Sequence, residues 1–169
     1  MPKPQENVEN IIKRAVEAGR ISAERTARDA FKATEKRLYA LPVLRVKIRD
    51  DKERLAEIRA YGPRSRSKSI TRFCKSGARL TPDEIVEAII TDMEATIAAD
   101  EYEVETIERA LEIISGDAYY ETVTGRYIEN LPDEEVAEAI SCDTSTVWRN
   151  RKRLVQRLAV RLYGADAAK

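Results

Sequence analysis

Apolar residues recur three and four positions apart over most of the chain, and that spacing predicts helices. Val8, Ile11, Ile12 and Ala15 line one side of a short amphipathic helix over residues 6–18, ended by Gly19. Ser22 is placed to cap a second helix through AERTARDAFKATEKRLYAL, residues 23–41. Pro42 either kinks that helix or opens a new one, because proline removes an internal N–H donor and clashes with the preceding turn. Leu41, Leu44, Ile48, Leu55 and Ile58 then fall on the two seam positions of a heptad, with Asp51 the polar intruder. The most regular stretch is Thr81 to Ser115, where Val86, Ile90, Met93, Ile97, Val104, Ile107, Leu111 and Ile114 repeat and only Asp100 interrupts. Its start is marked by a Thr81/Glu84 capping box with Pro82 at the first helical position, and Gly116 follows its end. Each seam needs a covering helix, supplied either by an antiparallel segment of the same chain or by a second copy in a coiled coil.

Past Gly116 the pattern shortens. Tyr119, Tyr120, Val123, Tyr127 and Ile128 mark one helix, and Pro132 starts another whose apolar face is Val136, Ala137 and Ile140. Asp133, Glu134 and Glu135 suit the positive end of that second helix. SCD is a tight connection, and Asp143 or Thr144 caps a last helix through Leu162. Two short helices joined by three or four residues form a helix-turn-helix. The expected fold is all-α: an N-terminal helical region (1–61), a linker (62–80), a long heptad-bearing helix (81–115) and a helix-turn-helix domain (116–169).

Charge gives these segments different tasks. The formal net charge of the 169 residues is zero, but residues 1–61 carry +5, 62–80 carry +6, 81–143 carry −17 and 144–169 carry +6. Such asymmetry points the basic parts at a polyanion. In the last helix Val147, Leu154, Leu158 and Leu162 repeat on the buried side, bordered by Asn150 and Arg151. The opposite side carries Ser145, Trp148, Arg149 and Lys152, with Thr144 and Thr146 in the first turn, as a recognition helix facing a major groove requires. Arginine's planar fork fits the guanine edge, Ser and Thr hydroxyls reach phosphate or base, and Trp148 lies on sugar or a thymine methyl. Arg153 and Arg157, a turn further on, are expected at phosphates. The bland alternative is a basic helix packed on a protein partner.

The linker GPRSRSKSITRFCKSGARL holds six cations, four serines and no acid. It reads either as a basic arm laid on phosphates, with Arg64, Arg66, Lys68 and Arg72 as the neutralising side chains, or as a solvated hinge.

The remaining chemistry is exclusion. With two cysteines, Cys74 and Cys142, and no histidine, the chain lacks the ligands of a structural zinc site and any Ser/His or Cys/His nucleophile arrangement. KSGAR has the wrong residue order for a phosphate loop. The acids Asp100, Glu101, Glu103 and Glu105 read as a solvated helix face. No enzyme activity, metal or cofactor is expected. No apolar run approaches the ~18 residues of a membrane span, and MPKPQENVEN is too polar for a signal peptide, so the expected location is the cytoplasm without a membrane partner.

The stretch ISGDAYYETVTGRYIENLPDEEVAEAISCDTSTVWRNRKRLVQRLAVRLYG resembles the C-terminal domain of phage late-gene transcription regulators of the ArpU/RinA type, itself similar to region four of sigma factors. TEKRLYALPVLRVKIRDDKERL and the basic loop after it are similar to the N-terminal part of that family. The resemblance implies a phage-encoded activator acting in the bacterial host cell. It would bind double-stranded DNA upstream of a late promoter, contact RNA polymerase and read sequence with Thr144 to Leu154. Nothing in the chain resembles the sigma segments that melt a promoter, so it is not expected to start transcription alone. A different reading is a phage small terminase subunit, which joins a helix-turn-helix to helical oligomerisation segments but typically places the DNA-binding domain first. A third is a helical adaptor whose acidic 81–143 region holds a basic partner.

Overall fold

The computed structural model describes residues 29–63 and 81–168, and among these every regular element is helical. The helices are α1 (Ala30–Tyr61), α2 (Pro82–Glu112), α3 (Glu121–Tyr127), α4 (Asp133–Ala139) and α5 (Thr144–Tyr163), with a 3-10 turn at Ala165–Ala167. The expected helix over 6–18, the cap at Ser22 and the arm residues Arg64, Arg66, Lys68 and Arg72 lie outside the described residues.

Of the helix expected from residue 23, residues 23–28 lie outside the described residues; its described part begins at Asp29, whose carboxylate accepts from the Lys32 N–H at 3.1 Å and caps α1. Pro42 starts no new helix, because α1 runs through it unbroken. Leu38 and Leu41, both fully buried, anchor the turn just before the proline, so packing holds the helix where one backbone bond is missing.

At α2 the capping box forms as expected. Glu84 N–H donates to Thr81 Oγ1 at 3.3 Å, and Thr81 N–H at 2.7 Å, then the Thr81 hydroxyl at 2.9 Å, donate to Glu84 Oε2 and hold its carboxyl below the usual range. The α-helix closes at Glu112, and i to i+3 bonds through Ile113, Ile114 and Ser115 tighten its last turn.

The described residues form two compact units. Of the described residues, one unit takes 45–63 and 81–102, the other 29–44 and 103–168. In the first unit α1 and α2 run antiparallel, with Lys47 on Asp100 at 2.5 Å, Lys52 on Glu101 at 2.6 Å and Arg59 on Glu94. Leu55, Ile58, Ile89 and Ile97 are buried there. Asp51 and Asp100, the polar intruders of the two heptad seams, share one cation: Lys47 Nζ donates to both, at 2.8 and 2.5 Å.

The second unit holds the larger core. Leu38 and Leu41 of α1 and Ile107, Ala110 and Leu111 of α2 cluster with Ile114, with Val123 and Tyr127 of α3 and with Leu154, Val155, Leu158 and Leu162 of α5. Arg37 makes a two-pronged pair with Glu103, at 2.5 and 2.9 Å, along the edge of this core. Of the expected seams, Leu41, Leu55, Ile58, Ile97, Ile107, Leu111 and Ile114 are buried by the chain's own helices, while Leu44, Ile48, Val86, Ile90, Met93 and Val104 are half-buried.

Candidate nucleic-acid interface

Three short-range devices place the last helix. Gly125 allows α3 to approach α4: a Cβ there would come within 2.9 Å of Val136 Cγ2, closer than side chains pack. Pro132 stands at the cap of α4 with extended backbone (φ −68°, ψ 157°), and the acids Asp133, Glu134 and Glu135 fill the first turn. The helix then ends in a left-handed turn at Ser141 (φ 52°), where Cys142 N–H donates to Ala137 O at 2.9 Å and Ser141 N–H to Glu138 O at 3.2 Å. That turn redirects the chain within four residues, and Val136, Ala137 and Val147 close a small core beneath it with Leu131, Ile140 and Cys142.

Asp143, the first of the two expected caps, is the one that forms. Its carboxylate accepts from Thr146 N–H at 2.9 Å, from Thr146 Oγ1 at 2.8 Å and from Ser145 Oγ at 2.5 Å. These bonds, the side-chain ones first, hold the Asp143 carboxyl far below its ordinary range, so the cap is charged at neutral pH. The Ser145 and Thr146 hydroxyls, expected to reach DNA, donate inward to this cap and turn only acceptor lone pairs outward.

Along α5 the cations sort into two kinds. Arg151 is held inward: its Nη1 and Nη2 donate to Asp133 Oδ1 and Oδ2 at 2.5 and 2.9 Å, its side chain is 11% exposed, and the pair fastens α5 to α4. Arg149 is exposed and makes no ion pair with the described residues. Lys152 lies with its ammonium 5.2 Å from the centroid of the Trp148 ring, and that ring is 55% exposed. Thr144 is exposed at the N-terminal tip. Thr144, Trp148, Arg149 and Lys152 thus share one solvent-facing side, while Val147, Leu154, Leu158 and Leu162 on the other side are buried, as the spacing required.

Arg153 and Arg157 have an acidic neighbour that the spacing did not reveal. Arg153 donates to both Asp117 oxygens at 2.9 Å and to Asn150 Oδ1 at 3.2 and 3.3 Å, and Arg157 Nη1 stands 3.6 Å from Asp117 Oδ2. Asp117 also accepts from Tyr119 N–H at 3.1 Å, and the Arg153 bonds, then this one, keep its carboxyl below the usual range. One carboxylate thus offsets one of two positive charges expected at phosphates.

A cavity of about 270 Å3 opens beside the exposed side of α5, lined by Phe31, Glu35, Tyr127, Trp148, Arg151 and Lys152. Tyr127 OH donates to Glu35 at 2.7 Å, and burial first, then that bond, pushes the phenol's ionisation well above its ordinary range. Phe31 and Glu35 come from more than a hundred residues earlier in the chain, and no spacing within the last fifty residues could have placed them here. Among the described residues no helix is long and apolar enough to cross a membrane. The chain matches no family model, no curated protein and no solved structure.

Proposed function

We propose that the chain is a sequence-specific, DNA-binding transcription regulator of phage late genes, an activator that reads the major groove with the N-terminal half of α5 and contacts the host RNA polymerase. One observation carries the DNA reading. On a single helix, Trp148, Arg149 and Lys152 are left exposed on one side, while the neighbouring Arg151 is fully occupied by Asp133. A basic helix that served only to pack on its own chain has no use for that division. Arginine on a capped, rigid helix offers two donors in the geometry of the guanine edge.

The test is selection: the purified protein is mixed with fragmented DNA of the genome that encodes it, and bound fragments are sequenced. Enrichment of one motif is expected, and uniform recovery at moderate salt would reject the reading. On the selected site, Arg149→Ala should lose roughly 1–3 kcal/mol of discrimination at one base position and leave binding to random DNA nearly unchanged. Equal losses on both DNAs would remove Arg149 from the base-reading face.

Asp117 adds a prediction of opposite sign. In Asp117→Asn, Arg153 and Arg157 keep a hydrogen-bonding neighbour but lose the negative charge that competes with phosphate. Binding to any DNA should tighten, and the slope of log affinity on log salt should steepen by roughly 0.9 to 1.8, one unit of about 0.9 for each arginine released to a phosphate. A titration series in salt gives the slope directly. An unchanged slope would place both arginines away from the DNA backbone.

A further inference from the structure

Phe31 and Glu35 stand one turn apart on α1, and Trp148 and Lys152 one turn apart on α5, so each pair presents its side chains together. With Tyr127 at the end of α3 they line the cavity of about 270 Å3, inside one compact unit. Three of its walls are aromatic, and two of its charges are left over. Glu35 accepts one hydrogen bond, from Tyr127 OH at 2.7 Å, and makes no ion pair with the described residues. Among the same residues Lys152 meets only the Trp148 ring, whereas Arg151 is matched by Asp133. The tyrosine that steers Glu35 is itself fixed: it is 3% exposed and stands edge-on to Tyr39 at 4.7 Å between ring centroids. Its ionisation is pushed up, by burial first, so the phenol donates and Glu35 faces any ligand as an acceptor only.

We infer that this cavity binds a guanine base carrying a phosphate, with the base stacked on Trp148, its Watson–Crick edge on Glu35 and its phosphate on Lys152. The volume lies just below the roughly 300 Å3 at which pockets for drug-sized ligands begin, so it suits one bicyclic ring. Aromatic walls take the π-face of any base, so stacking alone selects none. The carboxylate makes the selection. Guanine sets two neighbouring donors, its N1–H and its N2 amine, on the Watson–Crick edge; adenine and cytosine put an acceptor beside their amine, and uracil and thymine flank a single N–H with two carbonyls. Lys152 is exposed on a flexible stem, so it takes a phosphate that stays in water. A purely cationic ligand fits worse, because Lys152 opposes it. The inference is independent of the duplex reading: Glu35, on which it turns, has no part there, and its test contains no duplex.

Two sources carry this chemistry, a free nucleotide and an unpaired guanine in a single strand. Calorimetry on the full chain separates them, with guanosine monophosphate as one probe and a thymine oligonucleotide containing one guanine as the other. Trp148 is the chain's single tryptophan, so quenching of its fluorescence reports stacking directly. At least one probe should bind with a Kd below about 1 mM and quench the ring, and its counterpart, adenosine monophosphate or the all-thymine strand, should bind at least about tenfold more weakly. If the free nucleotide binds, inosine monophosphate, which lacks the N2 amine, should lose about tenfold on the wild type, with no variant needed. Glu35→Gln should erase the preference for guanine with an unchanged circular dichroism spectrum, and Lys152→Ala should bring guanosine monophosphate down to the affinity of guanosine. Binding of the strand alone makes nucleic acid the source, and binding of the free nucleotide makes it a nucleotide site. Failure of both probes to bind up to about 1 mM overturns the inference. So does binding without quenching, or a preference for guanine that survives Glu35→Gln.

Discussion

Leu158→Ala will lower the stability of the unit that contains α5 by about 3 kcal/mol, while Trp148→Ala, which removes a larger side chain from the same helix, will lower it by less than about 1 kcal/mol. Leu158 is 1% exposed and shares its core with Leu38 and Leu41 of α1, Ile107 and Leu111 of α2, and Leu154 and Leu162 of its own helix. Truncation there removes three carbons from a site walled by several helices, which cannot close over the gap together. Trp148 keeps more than half of its surface in water, so its loss changes little of what folding buries. Urea unfolding followed by circular dichroism measures both. If the tryptophan proves as costly as the leucine, its ring is part of the core and the exposed side of α5 loses its largest candidate contact. If Leu158→Ala stays within 1 kcal/mol of wild type, the cluster does not hold the unit together.

The contrast between these two residues shows what the sequence could express. Val147, Leu154, Leu158 and Leu162 are separated by seven, four and four residues, and helical geometry alone turns them to the same side. The Thr81/Glu84 box and the acids at the start of α4 were equally legible, because each lies within one turn of the end it caps. Pairs distant in the chain were not. Asp117 with Arg153 is 36 residues apart and Glu35 with Tyr127 is 92, and no periodicity encodes such a meeting. The direction in which a hydroxyl donates is also invisible in one dimension, so Ser145 and Thr146 looked free for DNA when Asp143 engages both. The seams themselves were plain, but their spacing is the same whether a helix of the same chain or a copy covers it. Within the chain Leu55, Ile58 and Ile97 of the seams are buried, and so is Ile89, one position before the expected Ile90, which is half-buried.

The pair between Arg151 and Asp133 should set how the helix-turn-helix responds to acid. Asp133→Asn is expected to cost about 2 kcal/mol at pH 7, because it leaves a largely buried guanidinium without its charged acceptor while the rest of the site is unchanged. Arg151, not the aspartate, is the more deeply enclosed partner, with 11% of its side chain exposed against 28%, so the cost comes mainly from the cation left unmatched. The hydrogen bonds from Arg151 hold the Asp133 carboxyl below its ordinary value, despite the opposing effect of partial burial. A carboxylate whose pKa is lower folded than unfolded contributes its full stability above the unfolded value, near 3.9, and loses it as pH falls through the folded value. The difference in unfolding free energy between wild type and Asp133→Asn should therefore be constant from pH 7 to about pH 5 and shrink below about pH 4, as the wild type surrenders the charge that the variant never had. Asp117 and Asp143 are depressed in the same direction but are present in both proteins, so their titration cancels from the difference. Denaturant unfolding of the two proteins at pH 7, 5 and 3 decides the matter. A difference that stays the same at pH 3 as at pH 7 would mean that the asparagine acts through packing and that the ion pair is not what fastens α5 to α4.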